Sequence, residues 1–257
     1  QFMNELFIGG GGYTGVMFIG ALEYIHEHEL LDLKNFYGCS IGSMIGILYI
    51  TGMTPKNILR KFLELDLKDI IKYDINYDNK CLLDDKLLDS FMEFIWDKYD
   101  KDITLEEFSK DTSVNINIFV TNITTNKYLN FNNNEHPKIK LKDALKASMS
   151  IPFLFHPVEI NNEYYIDGGC KNVYGCPPDN RYILGYSIIA ETDKKKLSYF
   201  TNVLRSMINV DKPNSVFTII CKNMANPSIY MSLNNLNSTF IFDMYKSGID
   251  HAREELS

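Results

Sequence analysis

No apolar run in this chain approaches the roughly 20 residues that a membrane-spanning helix needs. The first residues carry no basic stretch ahead of an apolar secretory core. The expectation is a cytoplasmic protein that meets any membrane from the water side, as a peripheral protein. Cysteine is scarce: the five at 39, 81, 170, 176 and 221 form an odd count without the paired spacing of a zinc site or a disulfide framework. That scatter fits a reducing compartment. Basic residues are outnumbered, 26 Lys and Arg against 33 Asp and Glu, for a formal charge of -7. With Lys194-Lys195-Lys196 as a short solvated run and no basic face, nucleic acid is not an expected partner.

What the chain does have is material for a core. At 257 residues, 45% hydrophobic and 13% aromatic, the composition is that of a folded globular protein, and a single domain over residues 3 to 257 is expected. Glu5 to Ile8 reads as a buried first strand that runs into Gly9-Gly10-Gly11-Gly12-Tyr13-Thr14-Gly15. A helix over Val16 to Leu30 follows, and then a short strand through Phe36-Tyr37 to Cys39. Ile41 to Tyr49 predicts a second helix stopped near Gly52, and Thr54-Pro55 opens a third, Thr as cap and Pro at the first helical position. From Asp84 or Asp85 the apolar stripe Leu87, Leu88, Phe91, Phe94 and Ile95 continues to Trp96, which is packing. Residues 66 to 84 are polar and read as a surface loop or part of a lid-like insertion.

Thr104-Leu105-Glu106-Glu107 has capping-box spacing. Val114 to Ile123 and Lys127 to Phe131 predict two strands around a Thr125-Asn126 turn, and Leu141 to Met149 a helix ending at Ser150-Ile151-Pro152. Asn161-Asn162 between Val158-Glu159-Ile160 and Glu163 to Ile166 is a two-residue hairpin signal. Tyr182 to Ile189 reads as a strand, Lys194 to Ile208 as a helix, Val216 to Cys221 and Thr239 to Phe242 as strands, and Tyr245 to Leu256 as the closing helix. Strands alternating with helices predict an α/β fold with a mostly parallel central sheet.

Three stretches carry chemistry. Gly38-Cys39-Ser40-Ile41-Gly42 is a G-x-S-x-G pentapeptide between an apolar strand and an apolar helix, the sequence form of a nucleophile elbow with Ser40 at its apex. A serine hydroxyl is a weak nucleophile at neutral pH, so a base must lie within hydrogen-bond reach. An acyl-transfer intermediate also carries an oxyanion, which needs backbone N–H donors. Gly10, Gly11 and Gly12 can supply them, since amides without side chains can face one anion and the following helix N-terminus adds favourable potential. Asp167, between a strand end and Gly168-Gly169, is an acid on a turn able to approach a serine. By local sequence alone it better suits a turn aspartate bonding its own backbone.

The blocks Gly10 to Gly15, Gly38 to Gly42 and Asp167-Gly168-Gly169, in this order, resemble the signature blocks of patatin-like phospholipases. Ala147 to Pro157 is similar to that family's small-residue helix end and Pro-rich segment. The resemblance covers about residues 5 to 175. It implies a three-layer α/β/α fold and lipid acyl hydrolase activity, often phospholipase A-like, with no metal or other cofactor. It further implies a Ser40–Asp167 dyad without histidine, and Gly10, Gly11 and Gly12 as the oxyanion loop. The substrate it implies is a membrane phospholipid or another acyl lipid, with any activating protein partner unspecified. The family commonly has Arg or Lys where this chain has Thr14, a departure that removes a cation beside the loop and bears on headgroup preference and catalytic level.

Other readings compete. A Ser-Asp-His hydrolase would recruit His251, the only histidine after Asp167, which sits among charged residues; His156, between Phe155 and Pro157, precedes the acid. Gly10-x-Gly12-x-x-Gly15 also satisfies the dinucleotide fingerprint, with Asp32 near ribose-binding distance, but leaves Ser40 and Asp167 without a role. Loss of the cation at Thr14 leaves room for a catalytically silent lipid-binding module. Ile151 to Phe155 suits an acyl pocket or lipid contact as well as core packing.

Overall fold

The computed structural model describes residues 3–12, 15–64, 86–172, 182–185, 217–220 and 238–257. Its frame is one mixed sheet. Strand β1 (Met3–Ile8) is followed by helix α1 (Gly15–Glu27), β2 (Leu31–Cys39), α2 (Ile41–Ile50), α3 (Pro55–Glu64), α4 (Lys86–Trp96) and α5 (Leu105–Thr112). Strands β3 (Asn115–Asn122) and β4 (Lys127–Asn132), helix α6 (Leu141–Met149) and the hairpin β5 (Val158–Ile160) and β6 (Glu163–Asp167) come next. Strands β7 (Tyr182–Gly185) and β8 (Phe217–Ile220) and helix α7 (Ser238–Leu256) complete the described elements. The sheet order is β5-β6-β3-β2-β1-β7-β8, with β4 also on β3. The β3–β2–β1–β7–β8 run is parallel, and β4, β5 and β6 join antiparallel. The α/β class and mostly parallel sheet read from the sequence are those observed.

The pairing around β3 positions everything that follows. A strand has two edges, and β4 occupies one of them along Asn117 to Asn122. The other edge is shared. β2 runs up it in parallel, from Asn35 opposite Asn115 to Cys39 opposite Phe119, and β6 runs down it antiparallel, from Tyr165 opposite Asn122 to Asp167 opposite Val120. The ends of β2 and β6 therefore meet head-on, opposite consecutive residues of β3. Neither strand can continue, so both must turn out of the sheet there, and both do so at Ser40 and Asp167.

Side chains alternate across a strand, and the core follows that period. Leu6, Ile8, Phe36, Ile116, Ile118 and Val120 face a large cluster to which α1 through α7 all contribute. Phe7, Cys39 and Phe119 point the other way and pack with Tyr37 and Tyr128, Phe119 stacking on Tyr128 with ring centroids 5.4 Å apart. Burying aromatic and aliphatic side chains of this size stabilises by about 2 kcal/mol each. Helices α1 and α7 approach so closely that a β-carbon on Gly20 would overlap the Tyr245 carbonyl, and one on Gly248 the Met17 carbonyl. Glycine serves at these two positions because the neighbour is backbone and cannot swing away.

Several local signals act as expected. Thr104 accepts from the Glu107 N–H while the Glu107 carboxylate accepts from the Thr104 N–H, a full capping box on α5. Asn161 and Asn162 both take left-handed φ, 53° and 63°, as a two-residue hairpin turn of the primed type requires. One expectation is overturned: Thr239 to Phe242 is not a strand but the opening of α7. The β-branched and aromatic residues there favour a strand locally. The buried residues Met244, Tyr245, Gly248 and Ala252 recur at helical spacing, and α7 packs that face on α1. Also, β2 begins at Leu31 rather than near Phe36, and α1 ends at Glu27 rather than Leu30. The loop expected over 66–84, the helix over 194–208, Thr14 and the outer parts of the strands expected over 182–189 and 216–221 lie outside the described residues. Among those described, no helix is long and apolar enough to cross a membrane.

Candidate active site

Ser40 leaves β2 with φ 53° and ψ -134°, a region that non-glycine residues enter only under constraint, at a cost on the order of 1–3 kcal/mol. The constraint is visible on both sides of the residue. Its N–H donates to the Ser148 hydroxyl at 2.9 Å. Its carbonyl accepts from the Ser43 hydroxyl at 2.6 Å and from the Ser43 N–H at 2.9 Å, the first turn of α2. Glycines make the passage possible: a β-carbon on Gly42 would overlap the Ile8 and Gly9 carbonyls, and one on Gly38 would stand 2.5 Å from the Ser43 Cα. This is the geometry that the G-x-S-x-G spacing predicts, with the hydroxyl lifted clear of its own backbone.

Asp167 meets that hydroxyl. Ser40 Oγ donates to Asp167 Oδ2 at 2.5 Å, and the other carboxylate oxygen accepts from the Gly169 N–H at 2.7 Å. The Asp167 N–H donates to the Ser150 carbonyl at 3.0 Å. Both readings of Asp167 thus hold together: it bonds its own turn with one oxygen and Ser40 with the other. Ser40 is 6% and Asp167 5% exposed. Burial disfavours the carboxylate and raises its pKa to about 6, against the opposing pull of the bonds from Ser40 and Gly169. Nearby, burial pushes the Cys39 thiol well up, and burial together with Asp167 takes Cys170 to about 12. Both remain neutral thiols at physiological pH.

The glycine loop lies against this pair. A β-carbon on Gly10 would stand 3.2 Å from Ser40 Cβ and 3.9 Å from its Oγ, so any side chain there would crowd the Ser40 hydroxyl. Gly12 has φ 56°, and Gly11 and Gly12 are half-buried. The loop enters α1 at Gly15, whose N-terminal end brings positive potential to the same place.

The competing partners make other bonds. His251 is on α7 with Nδ1 against the Ser247 carbonyl of its own helix at 2.6 Å. Asp32 is the second residue of β2, exposed and paired with Lys34 at 2.9 Å. The glycine loop follows the C-terminal end of β1, which is parallel to β2, so Asp32 lies at the opposite end of the sheet, roughly 25 Å along the strand from the elbow. No ribose on the glycine loop could reach it. Of the segment Ile151 to Phe155, Phe155 is buried, Ile151 and Leu154 pack partly on the core, and Phe153 is 50% exposed.

Residues that the sequence alone did not single out are Ser43, Ser148 and Ser150, together with the Phe119 carbonyl. Ser148 and Ser150 stand in the block Ala147 to Pro157, so the resemblance pointed to the segment without indicating what its hydroxyls and carbonyls do.

At the end of this α/β sheet a strained serine at a strand-to-helix elbow is thus bonded to a buried carboxylate beside a glycine loop. The family model for patatin-like phospholipase matches residues 6–177, and the chain belongs to that family. The chain is 29% identical over 181 residues to the probable lipid hydrolase 463L of Invertebrate iridescent virus 6, covering 67% of this chain and 61% of that one. It is 28% identical over 177 residues to protein R571 of Acanthamoeba polyphaga mimivirus, covering 65% and 58% respectively. It therefore spans about three fifths of the length of these relatives. Among solved structures it is similar to VipD from Legionella pneumophila, with a TM-score of 0.63 and 15% identity over 100% of this chain and 67% of that one. That likeness concerns the fold.

Proposed function

We propose that this protein is a lipid acyl hydrolase, phospholipase A-like, that cleaves fatty-acyl esters through an acyl-enzyme on Ser40 with Asp167 as the general base. The observation that carries this reading is the 2.5 Å bond from Ser40 Oγ to Asp167 Oδ2 at a strained elbow. Family membership and a relative named as a probable lipid hydrolase support the substrate class.

In the proposed reaction, ionised Asp167 accepts the Ser40 proton as Oγ attacks the ester carbonyl. The carbonyl oxygen becomes an oxyanion received by N–H groups of Gly10, Gly11 and Gly12, where loss of one donor typically costs about 3 kcal/mol. Asp167 then protonates the departing alcohol, and the acyl group stays on Ser40. A water attacks the acyl-enzyme and gives its proton to Asp167. Collapse returns the proton to Ser40 and releases the fatty acid. Every proton in this cycle passes through one carboxylate, which suits Asp167 as the base bonded to Oγ among the described residues.

The test is product mass spectrometry on mixed lipid vesicles, with Ser40→Ala in parallel. Free fatty acid and the matching lysolipid are expected from the wild type, and a rate lower by on the order of 10³-fold or more from Ser40→Ala. Vesicle binding without acyl release by the wild type would instead establish the lipid-binding module that Thr14 brings into play. Adding candidate protein activators to the same assay determines whether a partner sets the rate.

A further inference from the structure

We propose that Ser148 is a positioning residue for Ser40, holding the nucleophile in its strained backbone state; this rests on the reading of Ser40 as the nucleophile. The Ser148 hydroxyl is fully buried and makes two bonds at once. It accepts from the Ser40 N–H at 2.9 Å and donates to the Phe119 carbonyl at 2.8 Å. Phe119 is the β3 residue opposite Cys39, the last residue of β2.

These contacts have a structural logic. When β2 turns away at Ser40, its next N–H moves out of reach of β3, and a β3 carbonyl faces the gap. Either group left unbonded in the interior would forfeit its hydration with nothing in return. One hydroxyl, supplied from the last turn of α6, satisfies both and ties the elbow to the rigid sheet. The same segment fixes the other half of the site, since the Ser150 carbonyl accepts the Asp167 N–H at 3.0 Å. Two residues apart in sequence, Ser148 and Ser150 anchor Ser40 and Asp167 respectively, so α6 sets the separation of Oγ from the carboxylate. The arrangement at Gly168 closes around the same carbonyl: a β-carbon there would come within 2.5 Å of the Phe119 oxygen.

A hydroxyl is needed rather than volume, because the position must accept and donate together. Ser148→Ala removes both bonds, Ser148→Cys fills the space but bonds weakly, and Ser148→Thr keeps the hydroxyl. Displacing a reacting group by about 1 Å can cost on the order of 100-fold in rate. The experiment measures kcat and KM on a water-soluble p-nitrophenyl ester, with the folded fraction set by circular dichroism. For both Ser148→Ala and Ser148→Cys, kcat is expected to fall about 10- to 100-fold with KM within about twofold of wild type. Ser148→Thr is expected to recover most of the loss. The pH of half-maximal rate should stay at the wild-type value, since Ser148 touches neither carboxylate oxygen. Folded Ala and Cys variants that keep wild-type kcat, or that raise KM alone, would overturn the assignment while leaving Ser40 in place. A wild type that neither turns over the ester nor acylates Ser40 would remove the reading of Ser40 itself, and this assignment with it.

Discussion

Replacing Asp167 with asparagine is expected to abolish ester hydrolysis while making the folded protein more stable at alkaline pH. The two effects have one cause. Burial raises the pKa of Asp167 to about 6, so the folded state resists the charge that the proposed reaction requires. For an acid whose folded pKa is raised, the associated stability is fully present below its unfolded value and lost as pH rises through about 6. By about pH 8 the wild type carries a penalty on the order of 3 kcal/mol. Asparagine carries none, and its amide can accept from the Gly169 N–H and donate to Ser40 Oγ. Urea unfolding is therefore expected to show Asp167→Asn more stable by about 3 kcal/mol at pH 8, with the difference vanishing near pH 4. Ester turnover should fall by on the order of 10³-fold or more, because the amide cannot take the serine proton. In the wild type the same titration should appear as a rise in kcat/KM through about pH 6 to a plateau. Equal stability of the two proteins at pH 8 would mean that Asp167 is solvated rather than buried.

The second large effect belongs to a glycine. A β-carbon on Gly42 overlaps the carbonyl oxygens of Ile8 and Gly9, which are backbone at the end of β1 and the start of the glycine loop. Gly42→Ala must push the first turn of α2 away from that loop, separating Ser40 from the proposed oxyanion donors Gly10, Gly11 and Gly12 as it does so. Overpacking of this kind costs about 1–3 kcal/mol or more, and the misplacement is expected to lower kcat/KM by on the order of 100-fold. Differential scanning calorimetry together with kinetics on a soluble ester checks both parts. A variant with unchanged melting temperature and turnover would show that the elbow does not press on the loop.

Much of this site was legible in the sequence because its most specific parts are local. G-x-S-x-G marks Ser40 with a contiguous five-residue pattern, and the glycine run from Gly9 follows directly on a strand. The Asn161-Asn162 turn and the Thr104–Glu107 box are likewise determined by neighbours in the chain. The pairing of Ser40 with Asp167 is of another kind. It depends on β2 and β6 sharing one edge of β3 and stopping opposite Phe119 and Val120, a register across more than a hundred residues that no local pattern encodes. Only the family resemblance made that pair an expectation. Ser148 was out of reach for the same reason, since its bonds go to a strand end and an elbow contributed by distant segments. The opening of α7 was misread because Thr239 to Phe242 has a strand-like composition, and what decides its state is the packing of the later helical face on α1.

The measurement that tests the central claim most directly is intact-protein mass spectrometry after reaction with a fluorophosphonate, with the modified peptide mapped and the rate followed against pH. The account predicts one adduct per chain, on Ser40, forming more slowly below about pH 6 as Asp167 takes up its proton and lost in Asp167→Asn. An adduct on another residue, no adduct on the folded protein, or undiminished labelling of Ser40 in Asp167→Asn would contradict it.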